Sequence, residues 1–442
     1  MSMLTENYFV SVSGPPITNN TAIPKDAGIY EHTLHPTHAT SAVLKKSSAP
    51  AAGLAISDSH VFAAQQDKST IHVYSRTKGN QEAVITFPER ICSIALLDDV
   101  LFLGTQEGRV IVWEICTGRQ VTTAPCHVQA VTCIAATPYH LLTGSDDSNV
   151  LVWSIARLLE LDPAIEHEPQ DTLKNHRAAI TSLIVSQSIN VDTNICISAS
   201  KDKTCVIWNY QLGIPLRTLL FSSPPLSLAL DPSARAFYTS TEDGSLFAVE
   251  LFGEKTLIGP QSGEDGATAV QVSAAFGAAP QEAGQATCLG LNYDGTILLS
   301  GHPRGQIRRW NLSSRADSIE LANVNAAVTN IVFGSPMPTS RATRPMTISK
   351  PYLGKRTYNF TSQIESDLVD DTRFSTMVNS NGVPQDFLEQ AILAFQNPVG
   401  TITPGDEQLQ TENAELREII EEQRALQKRT LERYVEIRSS KA

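Results

Sequence analysis

One pattern recurs six times along this chain, and the recurrence decides what the chain can fold into. Residues 101–115 read LFLGTQEGRVIVWEI, residues 141–155 read LLTGSDDSNVLVWSI, and residues 196–210 read CISASKDKTCVIWNY. Each is an apolar run ending in small residues, a polar turn, and an alternating run that closes on tryptophan. Weaker copies occupy residues 61–75, 237–251 and 298–312. Alternation with period two is the mark of a strand with one buried face, so every copy reads as a hairpin. The anchor residues are Tyr74, Trp113, Trp153, Trp208, Val249 and Trp310. All 4 tryptophans of the protein are anchors. A hairpin of this kind cannot cover its own apolar face, so the copies must stack on one another.

Three of the intervals between anchors are about 40 residues, the period typical of the WD40 repeat, and the other two are that period plus an insertion. The long intervals run from Trp153 to Trp208 and from Val249 to Trp310. The repeat resembles WD40 in a second respect. Such repeats carry a histidine before the first strand, a hydroxyl on the second, an aspartate in the turn and a tryptophan on the third. The matching sets here are His127, Thr143, Asp147, Trp153 and His176, Ser198, Asp202, Trp208. A bonded chain of these groups satisfies polar atoms that a blade leaves half buried. They are therefore expected to be structural, with no catalytic, cofactor or metal role.

Six anchors and one degenerate repeat predict an all-β, seven-bladed propeller over residues 1–358. Residues 325–333 and 344–353 are expected in the last blade, with residues 7–12 supplying one strand to it, so that no sheet edge is left open. Insertions fall at 157–172 and 259–286. The first begins SIARLLEL, whose apolar spacing predicts a short rim helix; the second is poor in bulky residues and reads as a flexible loop.

Past the propeller the pattern changes. Residues 359–404 read as linker, with a short amphipathic helix at 384–397. Residues 405–438 read as a helix, free of glycine and proline from Asp406 onward. Steps of seven give Leu409, Leu416, Gln423, Thr430 and Ile437, with Ile419 and Leu426 in the companion row. This is a coiled-coil seam, and a lone helix cannot bury it. Its own copy is the first candidate to cover it, ahead of a partner helix or the propeller, so a homodimer is expected.

The remaining chemistry is negative. Net charge is -12, which disfavours a sequence-blind nucleic-acid coat, so RNA contact is expected to be indirect or weak. The 7 cysteines include no CxxC pair and read as buried free thiols of a reducing compartment. Neither a secretory signal nor a membrane-length apolar run is present, predicting a soluble intracellular protein without membrane contact. No phosphate loop, dinucleotide fingerprint, nucleophile elbow or metal cluster appears, so no cofactor and no enzymatic activity are expected.

The run HLLTGSDDSNVLVWSIARLLEL at 140–161, joined to the terminal helix, narrows the resemblance. A propeller with this insert and tail resembles the WD40 subunit of the Rix-one complex, the "involved in processing of ITS two" family of ribosome biogenesis with its animal WD-repeat relatives. The resemblance implies a nucleolar and nucleoplasmic scaffold for large (60S) subunit precursors. It would support removal of the internal transcribed spacer, help recruit a remodelling ATPase, and bind an α-solenoid partner subunit. The resemblance also implies self-pairing through the terminal helix and a role in licensing DNA replication. Val249 in place of tryptophan departs from the pattern and puts blade-level contacts in doubt. The alternative is an adaptor or substrate receptor in ubiquitin ligation or vesicle traffic.

Overall fold

The computed structural model describes residues 5–14, 17, 28–35, 37–160, 167–186, 194–252, 257, 269–313, 318–335, 347–352, 416–418, 420–430 and 433. The chain divides into two units, Met1–Phe360 and Thr361–Ala442.

Seven sheets, each with four strands in antiparallel order, make the first unit a seven-bladed β-propeller. From the innermost strand outward, blade 1 is Leu54–Ile56, His60–Ala64, Thr70–Ser75 and Asn80–Thr86. Blade 2 is Ile91–Leu97, Val100–Thr105, Val110–Glu114 and Gln120–Thr122. Blade 3 is Val131–Ala136, His140–Ser145, Val150–Ser154 and Asp171–Leu173. Blade 4 is Ile180–Val185, Ile195–Ser200, Thr204–Asn209 and Ile214–Leu220. Blade 5 is Pro225–Leu230, Ala236–Thr241, Ser245–Glu250 and Gly277–Ala278, and blade 6 is Cys288–Leu291, Ile297–Gly301, Gln306–Asn311 and Ile319–Asn323. Blade 7 combines Ala327–Phe333 with Glu6–Ser13, Gly28–His35 and Ala39–Lys45.

The apolar core is divided into seven clusters, one between each pair of neighbouring blades. Every anchor packs backward onto the preceding blade: Trp113 lies in the cluster of blades 1 and 2, Trp153 in that of 2 and 3, and Trp208 in that of 3 and 4. This backward packing explains why the anchor is large and why the residue three places beyond its cross-strand partner is small. That place holds Gly104, Gly144, Ala199 and Gly301 in blades 2, 3, 4 and 6. A Cβ on Gly144 would stand 2.9 Å from Ile180 of the next blade, and one on Gly104 would stand 2.7 Å from Val131. Only a minimal side chain lets the blades approach so closely.

Polar bonds between innermost strands close the ring. Ser93 Oγ donates to Val131 O, Thr132 Oγ1 to Ile180 O and Thr181 Oγ1 to Pro225 O, all at 2.8 Å. Leu289 N donates to Ser227 Oγ at 3.1 Å, Thr287 Oγ1 to Val328 O at 2.7 Å, and Asn330 Nδ2 to Pro50 O at 2.7 Å. Ile94 N to Ala52 O, at 2.8 Å, completes the circuit.

The closing blade corrects two expectations. Three N-terminal strands enter it, not one, because Glu6–Ser13 pairs with Ala327–Phe333 on one side and Gly28–His35 on the other. Of residues 344–353, the described part 347–352 lies on blade 2 instead. Ser349 N donates to Ile115 O at 2.8 Å, and Ser349 Oγ to Cys116 O at 2.7 Å. The insertions also carry more structure than their composition suggests. Ile155–Leu158 is a helix with Ile155 and Leu158 buried, and Asp171–Leu173 returns as the outer strand of blade 3. Ala269–Gln271 adds a fifth, parallel strand to blade 4, and Gly277–Ala278 finishes blade 5, so this part of 259–286 is strand where a flexible loop was expected. A poor apolar content does not prevent edge pairing, since main-chain groups supply the bonds.

In the second unit the described residues 416–418, 420–430 and 433 are helical. The expected linker and the helix at 384–397 lie outside the described residues, as do Leu409, Ile419 and Ile437. Among the described residues no helix is long and apolar enough to cross a membrane.

Candidate functional site

The residues singled out by the repeat meet in two buried polar chains. In blade 3, Trp153 Nε1 lies 3.0 Å from Thr143 Oγ1, Thr143 Oγ1 3.0 Å from His127 Nε2, and His127 Nδ1 3.0 Å from Asp147 Oδ2. In blade 4 the same steps from Trp208 through Ser198 and His176 to Asp202 measure 2.8, 2.7 and 3.2 Å. The ends fix the polarity. An indole N–H can only donate and a carboxylate can only accept, so the hydroxyl donates to Nε2 and both imidazoles carry their proton on Nδ1.

Each aspartate also closes its own turn. Asp147 accepts from Val128 N and Asn149 N at 3.0 and 2.9 Å, and Asp202 from Arg177 N and Thr204 N at 2.8 and 3.0 Å. Burial raises both carboxyls, but the bonds from histidine and main chain outweigh it and hold them below the usual carboxylate range. With donor and acceptor capacity used within the blade, neither set presents a free base or an open ligand position.

Other blades solve the same problem differently. In blade 6, Trp310 Nε1 donates to Ser300 Oγ at 2.9 Å, which meets His302 Nε2 at 2.9 Å, and His302 Nδ1 reaches Gly284 O at 3.0 Å. This histidine follows the second strand instead of preceding the first. The repeat spacing therefore gives no sign of it, although the Ser300-Gly-His302 run could have. Blade 2 has Leu103 where blades 3 and 4 have a hydroxyl, and Trp113 Nε1 donates to Ser349 O at 3.2 Å. In blade 5, Val249 brings no donor, and Thr239 Oγ1 turns to Ser240 O at 3.4 Å. By register, the anchor place of blade 7 belongs to His32, opposite Tyr8. Its ring stacks on Tyr8 and His38 at centroid distances of 5.1 and 5.4 Å, and its buried Nε2 has no hydrogen-bond partner among the described residues.

The thiols are not all buried as expected: Cys116 is exposed and Cys92 and Cys126 are half-buried, each with its thiol raised above the usual range mainly by partial burial. Cys133, Cys196, Cys205 and Cys288 are buried, and burial pushes Cys133 and Cys288 up to about 12. Among the described residues no group of three or more His, Cys, Asp or Glu could hold a metal ion.

The helix Ile155–Leu158 is pinned from the previous blade. Arg119 Nη1 donates to Leu159 O and to Glu114 Oε1, each at 2.8 Å, and its Nη2 bonds Glu160 O. A buried guanidinium thus caps the last carbonyls of the SIARLLEL turn. In the terminal helix, Leu416, Ile420 and Leu426 are exposed by 56, 48 and 66%. Gln423 and Thr430 are exposed beside them, the Thr430 hydroxyl bonding back to Leu426 O at 2.6 Å.

The family model described as "WD domain, G-beta repeat" matches residues 118–154 and 167–209, which are blade 3 and most of blade 4 with their entering loops. These two stretches are similar to the WD40 repeat. Among curated relatives, the pre-rRNA-processing protein IPI3 of Yarrowia lipolytica is 29% identical over 277 residues, covering 62% of this chain and 64% of that one. Protein ROOT INITIATION DEFECTIVE 3 of Arabidopsis thaliana is 28% identical over 262 residues, covering 57 and 56%. WD repeat-containing protein 18 of Homo sapiens is 26% identical over 283 residues, covering 63% of each. These matches therefore span less than two thirds of the relatives' own lengths. The solved structure of U3-55K superposes with a TM-score of 0.51 at 15% identity, covering 65% of this chain and 86% of that one, a likeness of fold alone.

Proposed function

We propose that this chain is a non-catalytic scaffold for assembly of the large (60S) ribosomal subunit, acting in pre-rRNA internal transcribed spacer processing within the nucleolus and nucleoplasm. The carrying observation is its similarity, over 277 residues, to a relative named for pre-rRNA processing. The blades supply rigid, self-satisfied faces, which is what a platform for several partners requires. On this reading the propeller joins an α-solenoid subunit of a Rix-one-type complex and helps recruit a remodelling ATPase to the precursor particle. A role in licensing DNA replication is a further part of the same reading.

The exposed stripe of Leu416, Ile420 and Leu426 supports pairing of the terminal helix with a second copy. Burying the three side chains is worth roughly 1.5–3 kcal/mol each before ordering costs. Two linked propellers would engage one particle with doubled valency. Sedimentation of the full chain and of a chain cut at Thr403 tests the pairing. A dimer that becomes a folded monomer on truncation supports it, and two identical monomers refute it.

Affinity purification of the tagged chain from its native cells, with RNA and proteins identified together, tests the function. Recovery of large-subunit precursors with unprocessed spacer supports the scaffold reading. Recovery of ubiquitin-ligase or coat subunits without precursor RNA would replace it with the adaptor reading.

A further inference from the structure

Blade 4 departs from its neighbours in charge. The loop at 174–179 and the turn at 200–204 are bonded into one unit by His176–Asp202, by Lys201 N to Ala179 O at 3.0 Å, and by Ser200 Oγ to Ala178 O at 2.8 Å. From this unit Lys174, Arg177, Lys201 and Lys203 extend, all exposed and none in an ion pair among the described residues. The one acid of the unit, Asp202, is turned inward onto His176, Arg177 N and Thr204. Each flanking turn keeps the equivalent inward aspartate, Asp147 or Asp243, but where blade 4 has Lys201 they carry an acid, Asp146 in blade 3 and Glu242 in blade 5. A chain of net charge -12 thus concentrates four cations on one blade tip.

The backbone supplies a second observation. Lys203 has φ +68, at the turn position where blades 2, 5 and 6 place Gly108, Gly244 and Gly305 with φ of +80, +86 and +87. Ser148 of blade 3 shares that strained place with φ +69, so what sets blade 4 apart is that the residue held there is a cation. The unit exposes no large apolar side chain to anchor a peptide. Phosphate contacts, by contrast, need only positioned cations.

We propose that the tip of blade 4 binds the phosphate backbone of RNA through Lys174, Arg177, Lys201 and Lys203. Choosing RNA among polyanions rests on the pre-rRNA reading above, whereas the existence of the cationic site does not. Without a stacking aromatic in the unit, the contact is indifferent to sequence and labile to salt. It is a holding contact that complements protein partners, and it makes direct the RNA contact that the net charge disfavours.

The test is fluorescence anisotropy of the purified full chain with a labelled RNA duplex of about 20 base pairs, titrated between 50 and 200 mM KCl. Four phosphate contacts give a log–log salt slope near −3 to −4, which is on the order of a 100-fold loss of affinity over that range. Replacing all four cations by Gln should abolish most binding at 50 mM KCl and flatten the slope. Lys78→Gln, in the turn between the two outer strands of blade 1 and so at the opposite end of the strands, should change neither. Lys203→Gly is the decisive single variant, because it should raise the melting temperature by about 2–4 °C while weakening RNA binding several-fold. Parental binding by the fourfold variant overturns the proposal. So does preference of the wild type for a poly-glutamate peptide, or absence of RNA binding at 50 mM. If precursor RNA still co-purifies from cells when duplex binding is absent in vitro, the blade 4 site falls and the scaffold function stands.

Discussion

Ser198→Ala isolates the physical basis of the blade network. Ser198 is fully buried, and its single hydroxyl serves two clients: the indole N–H of Trp208 at 2.8 Å and His176 Nε2 at 2.7 Å. Alanine removes one oxygen and leaves two buried polar groups unsatisfied. An orphaned buried group costs about 1–3 kcal/mol, so the variant should lose roughly 2–6 kcal/mol. That is far more than the roughly 0.5 kcal/mol, of either sign, that is ordinary for a surface serine. Ser198→Thr keeps the hydroxyl, as Thr143 does at the same place in blade 3, and should recover all but about 1 kcal/mol. Guanidinium unfolding followed by tryptophan fluorescence and far-UV circular dichroism gives both values. A Ser198→Ala stability within about 0.5 kcal/mol of the parent, at unchanged slope, would refute the argument that the bonded chain holds the blade.

Three further outcomes are expected. Asp147 and Asp202 titrate below their unfolded-state values, so their stabilisation is complete above about pH 4 and is lost as pH falls through the lower folded values; Asp202→Asn should shift the acid-unfolding midpoint upward. Burial, helped by His38, pushes the His32 imidazole down to about 4, so folding should lose about 3 kcal/mol between pH 6.5 and pH 4. His32→Phe should remove that part of the pH profile, and an unaltered profile would argue against it. Removing residues from 336 onward strips Ser349 O from the Trp113 indole, which should cost about 1–3 kcal/mol and shift Trp113 emission to longer wavelength; unchanged emission would show that the indole is satisfied otherwise.

Six blades could be read from the sequence because the anchor, the small residue and the turn each obey a local rule that stacking imposes. Trp153 and Trp208 announce themselves through side chains close along the chain. Blade 7 was legible in part: residues 325–333 and 7–12 were placed in it, but Gly28–His35 and Ala39–Lys45 were not, because its anchor is His32, which belongs to no tryptophan pattern. Two members of the tryptophan networks were hidden for related reasons. Ser349 offers Trp113 a main-chain carbonyl, which has no residue signature, and His302 reaches Ser300 from the wrong side of its strand. The strand Ala269–Gln271 was obscured by composition, since parallel pairing at an edge asks little of side chains. The charge of the blade 4 tip was present in Lys174, Arg177, Lys201 and Lys203, but two separate loops had to be joined before it became a surface.

The seventh blade also sets a timetable for synthesis. Glu6–Ser13 leaves the ribosome early, yet its inner partner, Ala327–Phe333, is made only after six other blades. With roughly 300 residues between them and about 5–20 residues added per second, the strand waits roughly 15–60 s with an apolar face and an unpaired edge. Blades 1 to 6 can form during that interval, but the circle cannot shut. The nascent chain is therefore an open arc, and the free edge of residues 6–13 stays uncovered until the last strand arrives.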